Sequence, residues 1–410
     1  MKLARETEFL ERIREIEPDQ LVWSLVHSFS THQAHEIAGL HRSFVQESRR
    51  NVSYTAFYNQ LSKPEFLTFV KALYSQQVQQ FYLEQQHRIP EAFDAFEDIR
   101  LHDGSSWRVD DELSDLLPGR FSKNAPAAVE LHATYSLKTR TYHQLVLAPD
   151  TQSEHDFIPD GEPGVLDLFD RGYVNLPKLE RRTALGGDYL VRNKTNGNPL
   201  ITAVHGGSPY ACRRWVGKKF QNQTLQKGKD YDFQVQMKAC DGQVYSLRFV
   251  VLWNPKAKKH KGFLTNVPPE KVSCQDLGKL YRLRWQIELS FKELKSYSAL
   301  KRFQTANGFI FKAFVWLSIL AMQLRRYLVF CAEALNPTHR LSVHKAAISA
   351  HDFMPDFIQC MKEGACQLRQ VLLEIFYFLQ ATMRFSNPQR KSSFEAWESP
   401  DTTRQLPLAS

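Results

Sequence analysis

Residues 281–295 read YRLRWQIELSFKELK, and this stretch says more about the fold and the chemistry than any other part of the chain. Its polar side chains follow a helical spacing: with Tyr281 as position i, Arg284 is i+3, Glu288 is i+7 and Lys295 is i+14. At 3.6 residues per turn, these positions lie near one face of a helix. One side of that helix therefore presents an acid framed by two cations and a phenol.

The remaining positions of this stretch are mostly apolar. They predict a long helix, from about Cys274 to Ser298, that packs into a core. The apolar positions are Leu283, Trp285, Ile287, Leu289, Phe291 and Leu294. From these residues alone a second interpretation stays open, because Glu and Lys at such spacings are also common on exposed helices that have no function.

Strand-like segments precede this helix, and two of them lead into an acidic residue. From about Ala95 the pattern predicts a strand through Ile99 and Leu101 into Asp103-Gly104-Ser105-Ser106. A later apolar segment, Gly164 to Asp170, also ends on an acid. The pattern is completed by a helix at 176–182, with Pro177 in its first turn, and by strands at 127–133, 142–147 and 189–192. This order predicts an α/β core.

Between about Asn193 and Val267 the chain is rich in turns and alternates polar with apolar residues. Asp232 to Met237, the turn Asp241-Gly242 and Val244 to Trp253 predict antiparallel strands. We interpret the segment as a β insertion in the core. Its tips carry basic residues: Arg213, Arg214, Lys218, Lys219, Lys256, Lys258, Lys259, His260 and Lys261.

The chain is basic overall. Its 410 residues include 53 Lys plus Arg against 44 Asp plus Glu, which gives a formal net charge of +9. A surplus of this size is compatible with a polyanionic partner but does not require one, so the location of the charge matters more than its sum. Part of the surplus is concentrated on the predicted insertion.

Helical periodicity marks both ends of the chain. Near the N-terminus, His35 to Leu40 and Ser53 to Leu61 could form two short helices around Arg49-Arg50, which resembles a helix-turn-helix unit. An ordinary helical bundle with a basic loop fits these residues equally well. The predicted domains are a helical DNA-binding domain at 1–90, a core in two parts at 91–192 and 268–305, the insertion at 193–267, a helical region at 306–386 and a disordered tail at 387–410.

Composition argues against several classes of protein. Met1 to Glu8 lack the apolar segment of a secretory signal, and the most apolar stretch, Ala313 to Leu324, is shorter than the roughly 20 residues of a membrane span. We expect a buried helix there and no membrane partner. The six cysteines form no CxxC pair and no cluster with His at zinc spacing, which favours a reducing cytoplasm. A metal would have to be held by carboxylates.

The polar face described first carries a family resemblance. Tyr281, Arg284, Glu288 and Lys295 match, with all spacings, the Y-x2-R-x3-E-x6-K signature of bacterial insertion-sequence transposases with an RNase H-like DDE catalytic core. The sequence GFLTNV at 262–267 is similar to that family's approach to its third acid. The resemblance spans about Ile99 to Leu300. It implies an RNase H-like mixed sheet, interrupted by the antiparallel β insertion and flanked by N-terminal and C-terminal helical domains.

The resemblance implies three catalytic acids. Asp103, at the end of the first core strand, resembles the first; Asp170, which leads into Arg-Gly-Tyr, resembles the second; Glu288 resembles the third. Neighbouring acids compete for the first two assignments: Asp98, Asp110, Asp111, Glu112, Asp115 and Asp167. Asp167 lies three residues before Asp170 in a strand, so we expect the two side chains to point to opposite faces.

Three carboxylates suit phosphodiester cleavage with two Mg²⁺ ions, for which Mn²⁺ may substitute, because hard divalent cations prefer oxygen ligands. The resemblance implies that Asp103 and Glu288 each hold one ion while Asp170 bridges both. It also implies that Arg284 and Lys295 bind the DNA backbone near the scissile phosphate and that Tyr281 donates a hydrogen bond to a phosphate.

The remaining predicted DNA contacts are basic or aromatic. They are Lys292 on the same helix and Arg213, Arg214, Trp253, Lys258 and Lys259 on the insertion. Relatives of this fold can stack a flipped base on an aromatic residue of such an insertion, which makes Trp253 and Trp215 candidates. For either tryptophan, packing of the insertion is the more ordinary role.

The sequence therefore predicts a DNA transposase that binds the inverted-repeat ends of its insertion sequence, cleaves them and transfers the strands to target DNA. The route would be cut-and-paste, with a terminal hairpin as one option. Synapsis of two ends implies a homodimer, and the location would be the bacterial cytoplasm, at the nucleoid. Two alternatives remain: an RNase H-like nuclease without strand transfer, and a DNA-binding protein with degenerate acids.

Overall fold

A computed structural model describes residues 1–12, 15–31, 36–84, 93–121, 123–194, 197–206, 208–297, 305–335, 341–363 and 365–384. Several sequence-based predictions lie outside these residues: the disordered tail at 387–410, His35 at the start of the first short helix, Ser298 at the end of the long one, and Leu300 at the end of the family resemblance. The domain boundaries stay predictions.

The centre of the molecule is a mixed sheet, as predicted. Its first six strands are β1 (Asp98–Arg108), β2 (Pro118–Phe121), β3 (Ala125–Ser136), β4 (Tyr142–Pro149), β5 (Val165–Phe169) and β6 (Asp188–Arg192). β4, β3 and β1 form an antiparallel meander, and β5 and β6 continue the sheet parallel to β1. The order β4-β3-β1-β5-β6 is that of an RNase H-like core.

The insertion is antiparallel, as predicted, and it extends the core sheet. Its strands are β7 (Leu200–Val204), β8 (Tyr231–Lys238), β9 (Val244–Asn254) and β10 (Lys259–Thr265), with α7 (Pro209–Trp215) between the first two. β10 pairs with β6, so the sheet is continuous from β4 to β7. Alternate residues of β8 pack inward because the strand has one buried face: Tyr231, Phe233 and Val235.

Helices cover both faces of the sheet. On one face, α6 (Leu176–Ala184) begins at the Asn175 cap and has Pro177 in its first turn. The other face is covered by α8 (Cys274–Arg282), α9 (Trp285–Tyr297) and α10 (Gly308–Leu335), whose apolar residues share one cluster with β1 and β3.

The prediction of one uninterrupted helix from 274 to 298 is wrong. The segment is divided at Leu283 and Arg284, where amides bond to carbonyls three residues back instead of four: Leu283 to Leu280, Arg284 to Tyr281 and Ile287 to Arg284. Such bonds tighten the helix locally into a 3₁₀-type turn. Tyr281 therefore belongs to α8, and Glu288 and Lys295 to α9.

A helical domain is built from both ends of the chain. Its members are α1 (Lys2–Glu6), α2 (Pro18–Ser30), α3 (Ile37–Ser48), α4 (Tyr54–Leu61), α5 (Pro64–Glu84), α11 (Val343–Ile348), α12 (Ala350–Glu363) and α13 (Ala365–Thr382). They share one hydrophobic cluster with the middle of α10. α3 and α4 flank Arg49 and Arg50 as predicted, but Arg50 forms an ion pair with Glu17.

Among the described helices, α10 alone is long and apolar enough to span a membrane, yet 78% of its most apolar 18-residue window is buried inside the protein. Its cluster members include Phe314, Leu317 and Leu324. The prediction of a buried helix at 313–324 is confirmed.

Candidate active site

Asp103 lies in the middle of β1, which continues for five residues beyond it. The expectation that this acid ends its strand is therefore wrong. Side chains of a strand alternate between the two faces of a sheet, so Asp103 shares a face with Ile99 and Leu101. Those two residues pack against α9 and α10, and the Asp103 carboxylate therefore points to the face that α8, α9 and α10 cover. Only 17% of the side chain is exposed.

Asp170 follows β5 directly and stands next to Asp103 in the register of the sheet. β5 pairs with β1 in parallel, with Phe169 opposite His102. Continued by one residue, this register places Asp170 beside Asp103. Parallel neighbouring strands thus bring two acids 67 positions apart to one edge, the arrangement that the sequence predicts.

Arg284 connects two of the three acids. Its Nη1 donates to Oδ2 of Asp103 at 2.9 Å, and its Nη2 donates to Oε1 of Glu288, one turn away on α9. The guanidinium is only 13% exposed. Arg284 lies in the tight turn between α8 and α9.

The other residues of the polar face also contact the site. The hydroxyl of Tyr281 donates to Oδ1 of Asp170 at 3.0 Å. Lys295 Nζ donates to the carbonyl of Ser106 at 2.7 Å and lies over the ring of Trp107. The four positions of the signature therefore contact β1, Asp170 or one another, which rules out a purely solvated helix face.

The local environment shifts the pKa values of Asp103 and Asp170 in opposite directions. Burial raises the pKa of Asp103 to about 6, although Arg284 works against this effect. Burial also acts on Asp170, but the backbone amide of Arg171, the charge of Arg284 and the Tyr281 hydroxyl lower its pKa overall. Asp170 is therefore the more readily ionised of the two aspartates.

The donor set fits a divalent cation by its chemistry. The carboxylates of Asp103 and Glu288 both bond to one guanidinium, so the protein already accommodates positive charge between these two acids. Mg²⁺ and Mn²⁺ both accept carboxylate oxygens together with water. Within the described ranges, no three Asp, Glu, His or Cys side chains are close enough together to surround one ion, and Arg284 lies between two of the acids in question.

Asp167 points to the opposite face from Asp170, as predicted. It is almost fully buried and pairs with His102 and Arg182. Thr134 completes the group through His102 Nδ1 at 3.1 Å. This buried network links β1, β3, β5 and α6 on the face of the sheet opposite to Asp170. Asp167 therefore has a structural role and does not compete with Asp170 for the site.

Two further acids adjoin the site, and the sequence reasoning missed both. A Cβ at Gly104 would overlap the carboxylate of Glu130, and a Cβ at Gly172 would overlap that of Glu154. Burial, together with Glu154, raises the pKa of Glu130 to about 7. The available signal was the glycine that follows shortly after each aspartate, since glycine allows close approach of another group.

Two apolar residues predicted to be buried are exposed. The exposed fractions of Trp285 and Leu289 are 57% and 43%, because the turn at Arg284 directs this face of α9 away from the sheet. Two exposed basic residues, Arg282 and Lys292, flank them in the chain. Counted from Arg282, Trp285 is at i+3, Leu289 at i+7 and Lys292 at i+10. We call these four residues the α9 stripe.

The predicted contacts on the insertion differ in exposure. Arg213, Lys258 and Lys259 are exposed, whereas Arg214 lies over the Trp215 ring and donates to the Thr224 carbonyl. Trp253 is half-buried, and its ring contacts His260. Trp215 itself is 4% exposed and packs on Tyr231 and Phe233, so it belongs to the insertion's core and cannot stack on a base.

Comparison with known proteins adds independent findings. Residues 94–324 match the family model described as "Transposase DDE domain", more than half of the chain. The chain is 22% identical over 338 residues to the transposase for insertion sequence element IS231C of Bacillus thuringiensis subsp. berliner, covering 73% of this chain and 71% of that relative.

Two other relatives are more distant or match a shorter region. The IS1151 transposase of Clostridium perfringens is 19% identical over 315 residues, 65% of this chain and 63% of the relative. The putative transposase InsL for IS186A of Escherichia coli K12 is 38% identical over 66 residues, 16% of this chain and 18% of the relative. The matched region of the family model contains Asp103, Asp170 and Glu288.

Proposed function

Because the chain belongs to the transposase DDE domain family, whose members generally use divalent metal ions, we propose that it moves its own insertion sequence by cutting and joining DNA. The observation that supports this proposal is that two residues of the signature connect Asp103, Asp170 and Glu288 to one another. Arg284 bridges two of them and Tyr281 contacts the third.

Asp103, Asp170 and Glu288 would hold the metal ions, in the proposed two-ion arrangement with Asp170 shared. When bound, divalent ions make a nucleophilic oxygen available at neutral pH and stabilise the leaving oxygen. Asp170 suits the shared position because its lowered pKa keeps it ionised.

The proposed reaction has two steps. In the first, a water oxygen attacks the phosphorus at the element end, the bond from phosphorus to the 3′ oxygen breaks, and a 3′-OH is released. In the second, that 3′-OH loses its proton and attacks a phosphodiester of the target, whose own 3′ oxygen leaves. A terminal hairpin between these steps would use the same attack on the opposite strand.

The α9 stripe supports a path for DNA beside the acids. Trp285 and Leu289 offer apolar surface next to Glu288, and Arg282 and Lys292 offer charge at either end. Cations alternating with an exposed aromatic residue suit a nucleic-acid strand, because phosphates bind the cations and bases stack on the ring. The exposed basic residues of the insertion would extend this path.

The remaining parts of the proposal rest on the reaction itself. Joining two element ends requires two active sites, so we propose a homodimer in the synaptic complex. Inverted-repeat ends and target DNA would be the partners, and the bacterial nucleoid the place of action.

The decisive experiment incubates the purified chain with DNA carrying the gene's own flanks, with and without Mg²⁺. Wild type is compared with Asp170→Asn and with Asp111→Asn, an exposed acid that pairs with Arg108. Metal-dependent cuts at both borders by wild type and Asp111→Asn, but not by Asp170→Asn, would support the transposase. Random nicking would favour the nuclease, and binding without cutting by every protein would favour degenerate acids.

A further inference from the structure

Arg284 bonds to two of the three carboxylates that are proposed to bind metal, those of Asp103 and Glu288. One guanidinium donates to Asp103 Oδ2 at 2.9 Å and to Glu288 Oε1, so both acids already have a cationic partner. The third nitrogen, Nε, is buried and has no hydrogen-bond partner among the described residues. Arg284 thus makes two strong contacts to the acids and leaves one donor unused.

The balance of charge explains why the arginine sits there. Asp103 and Glu288 would repel each other without a cation between them, and burial of Asp103 makes an unpaired charge costly. A metal ion bound between these two carboxylates would lie next to the guanidinium, and the two positive charges would repel each other. Metal binding to this pair therefore works against the contacts of Arg284.

We propose that Arg284 is an exchangeable internal cation, which holds Asp103 and Glu288 until metal displaces it and which then binds a DNA phosphate. This inference rests on the proposed function, because it assumes that these acids are the metal ligands. A guanidinium suits the exchange, since its planar fork binds carboxylates and phosphates with the same geometry.

The exchange couples the two ligands. A phosphate that draws Arg284 away from the acids opens the site to metal, and a metal ion that takes the acids frees Arg284 for phosphate. Linkage requires the coupling to be reciprocal, so each ligand strengthens the binding of the other by the same factor. Metal would consequently bind weakly in the absence of DNA.

Tyr281 does not share this role. It contacts only Asp170 among the three acids and carries no charge to be replaced. Lys295 donates to the backbone carbonyl of Ser106 in β1. Arg284, at the turn between α8 and α9, is the residue that bonds to both Asp103 and Glu288.

The test measures Mn²⁺ affinity of the full chain by electron paramagnetic resonance, without DNA. Arg284→Gln removes the cation, and we expect at least tenfold tighter Mn²⁺ binding than in wild type. Arg181→Gln, on α6 and exposed, removes the same charge from a pair with Asp160 without touching the acid pair and should leave the affinity unchanged. Equal or weaker binding by Arg284→Gln would overturn the exchange.

Arg284→Lys covers the case in which Arg284→Gln fails to fold. An ammonium cannot bridge both carboxylates as a guanidinium does, so this variant should also bind Mn²⁺ several-fold more tightly. If a folded Arg284→Lys protein binds no better than wild type, the exchange is wrong. Circular dichroism establishes which variants are folded.

A second arm tests the coupling and separates it from the proposed function. Samples frozen within seconds of mixing with a duplex of the gene's flank should show tighter Mn²⁺ binding by wild type and no change for Arg284→Gln. Asp103→Asn and Glu288→Gln should each weaken Mn²⁺ binding. If these two variants do not, the metal site and the exchange both fail; if they do and DNA has no effect on wild type, the exchange alone fails.

Discussion

The hydroxyl of Tyr281 on α8 donates a hydrogen bond to Asp170 Oδ1 at 3.0 Å, although 111 positions separate them in the chain. The Tyr281 ring packs on Phe263 of β10, the strand that joins the insertion to the core. The phenol therefore positions the second acid from an element that is itself fixed by the sheet. The same contact helps to lower the pKa of Asp170.

Tyr281→Phe removes this donor and should raise the pKa of Asp170. A hydrogen bond to a charged group contributes about 1.5–3 kcal/mol. Asp170 stays ionised at neutral pH in either protein, so we expect cleavage to fall roughly tenfold because its carboxylate is no longer held in position. Tyr210→Phe, on an exposed ring of α7, is the control. Cleavage by Tyr281→Phe at the wild-type rate would show that the contact does not position Asp170.

Glu288→Gln should abolish metal-dependent cleavage while DNA binding is largely kept. The amide loses the negative charge that a metal ligand needs, yet its size is unchanged. Gel-shift assays without metal report DNA binding, and cleavage of the flank DNA reports activity. Cleavage at the wild-type rate would contradict the assignment of Glu288.

Trp285→Ala should weaken DNA binding by about one order of magnitude if the α9 stripe contacts the strand. Stacking of a base on an aromatic residue contributes about 1–3 kcal/mol. Trp285 is largely exposed, so its removal should leave the unfolding free energy nearly unchanged. Tyr377→Ala on α13, an exposed ring in the helical domain, is the matched control. Fluorescence anisotropy with flank DNA measures the DNA affinity of both variants.

The two insertion tryptophans should respond differently to replacement by alanine. Trp215 is buried, so Trp215→Ala should cost about 3–5 kcal/mol of unfolding free energy in urea titrations. Trp253 is half-buried at the end of β9, so Trp253→Ala should lower the unfolding free energy less than Trp215→Ala does. If Trp253 stacks on a flipped base, Trp253→Ala will remove the 2-aminopurine signal at the cut. An unchanged signal would exclude Trp253 from that role.

Glu130 should make the stability of the chain fall as pH rises. Its pKa is about 7 in the folded protein against about 4.3 for a free side chain, so the folded state binds the extra proton between these values. The contribution of Glu130 is present below pH 4.3 and is lost as pH rises through 7, by up to about 1.4 kcal/mol per pH unit. Relative to Glu130→Gln, wild type should lose unfolding free energy between pH 5 and pH 8. A constant difference between the two proteins would contradict the raised pKa.

Local patterns in the sequence were sufficient for much of the architecture. Alternation along 232–237 and 244–253 predicts antiparallel strands, and β8 and β9 are antiparallel. The acids at 103 and 170 follow strand-like segments, and β1 and β5 are neighbours in the sheet. Such patterns are readable because strand and helix periods depend on residues close in the chain.

The sequence by itself determined the spacing of the signature residues and the order of strands, insertion and helix, and it singled out the three acids as candidates. Tertiary structure alone decided how these parts meet. The break at Leu283 and Arg284, the exposure of Trp285 and Leu289, and the approach of Glu130 and Glu154 were all unforeseen. The physical reason is that helical periodicity shows which residues share a face but not what covers that face. The partner of Arg284 lies 181 positions away in β1, and only the packing of α8 and α9 on the sheet brings the two together.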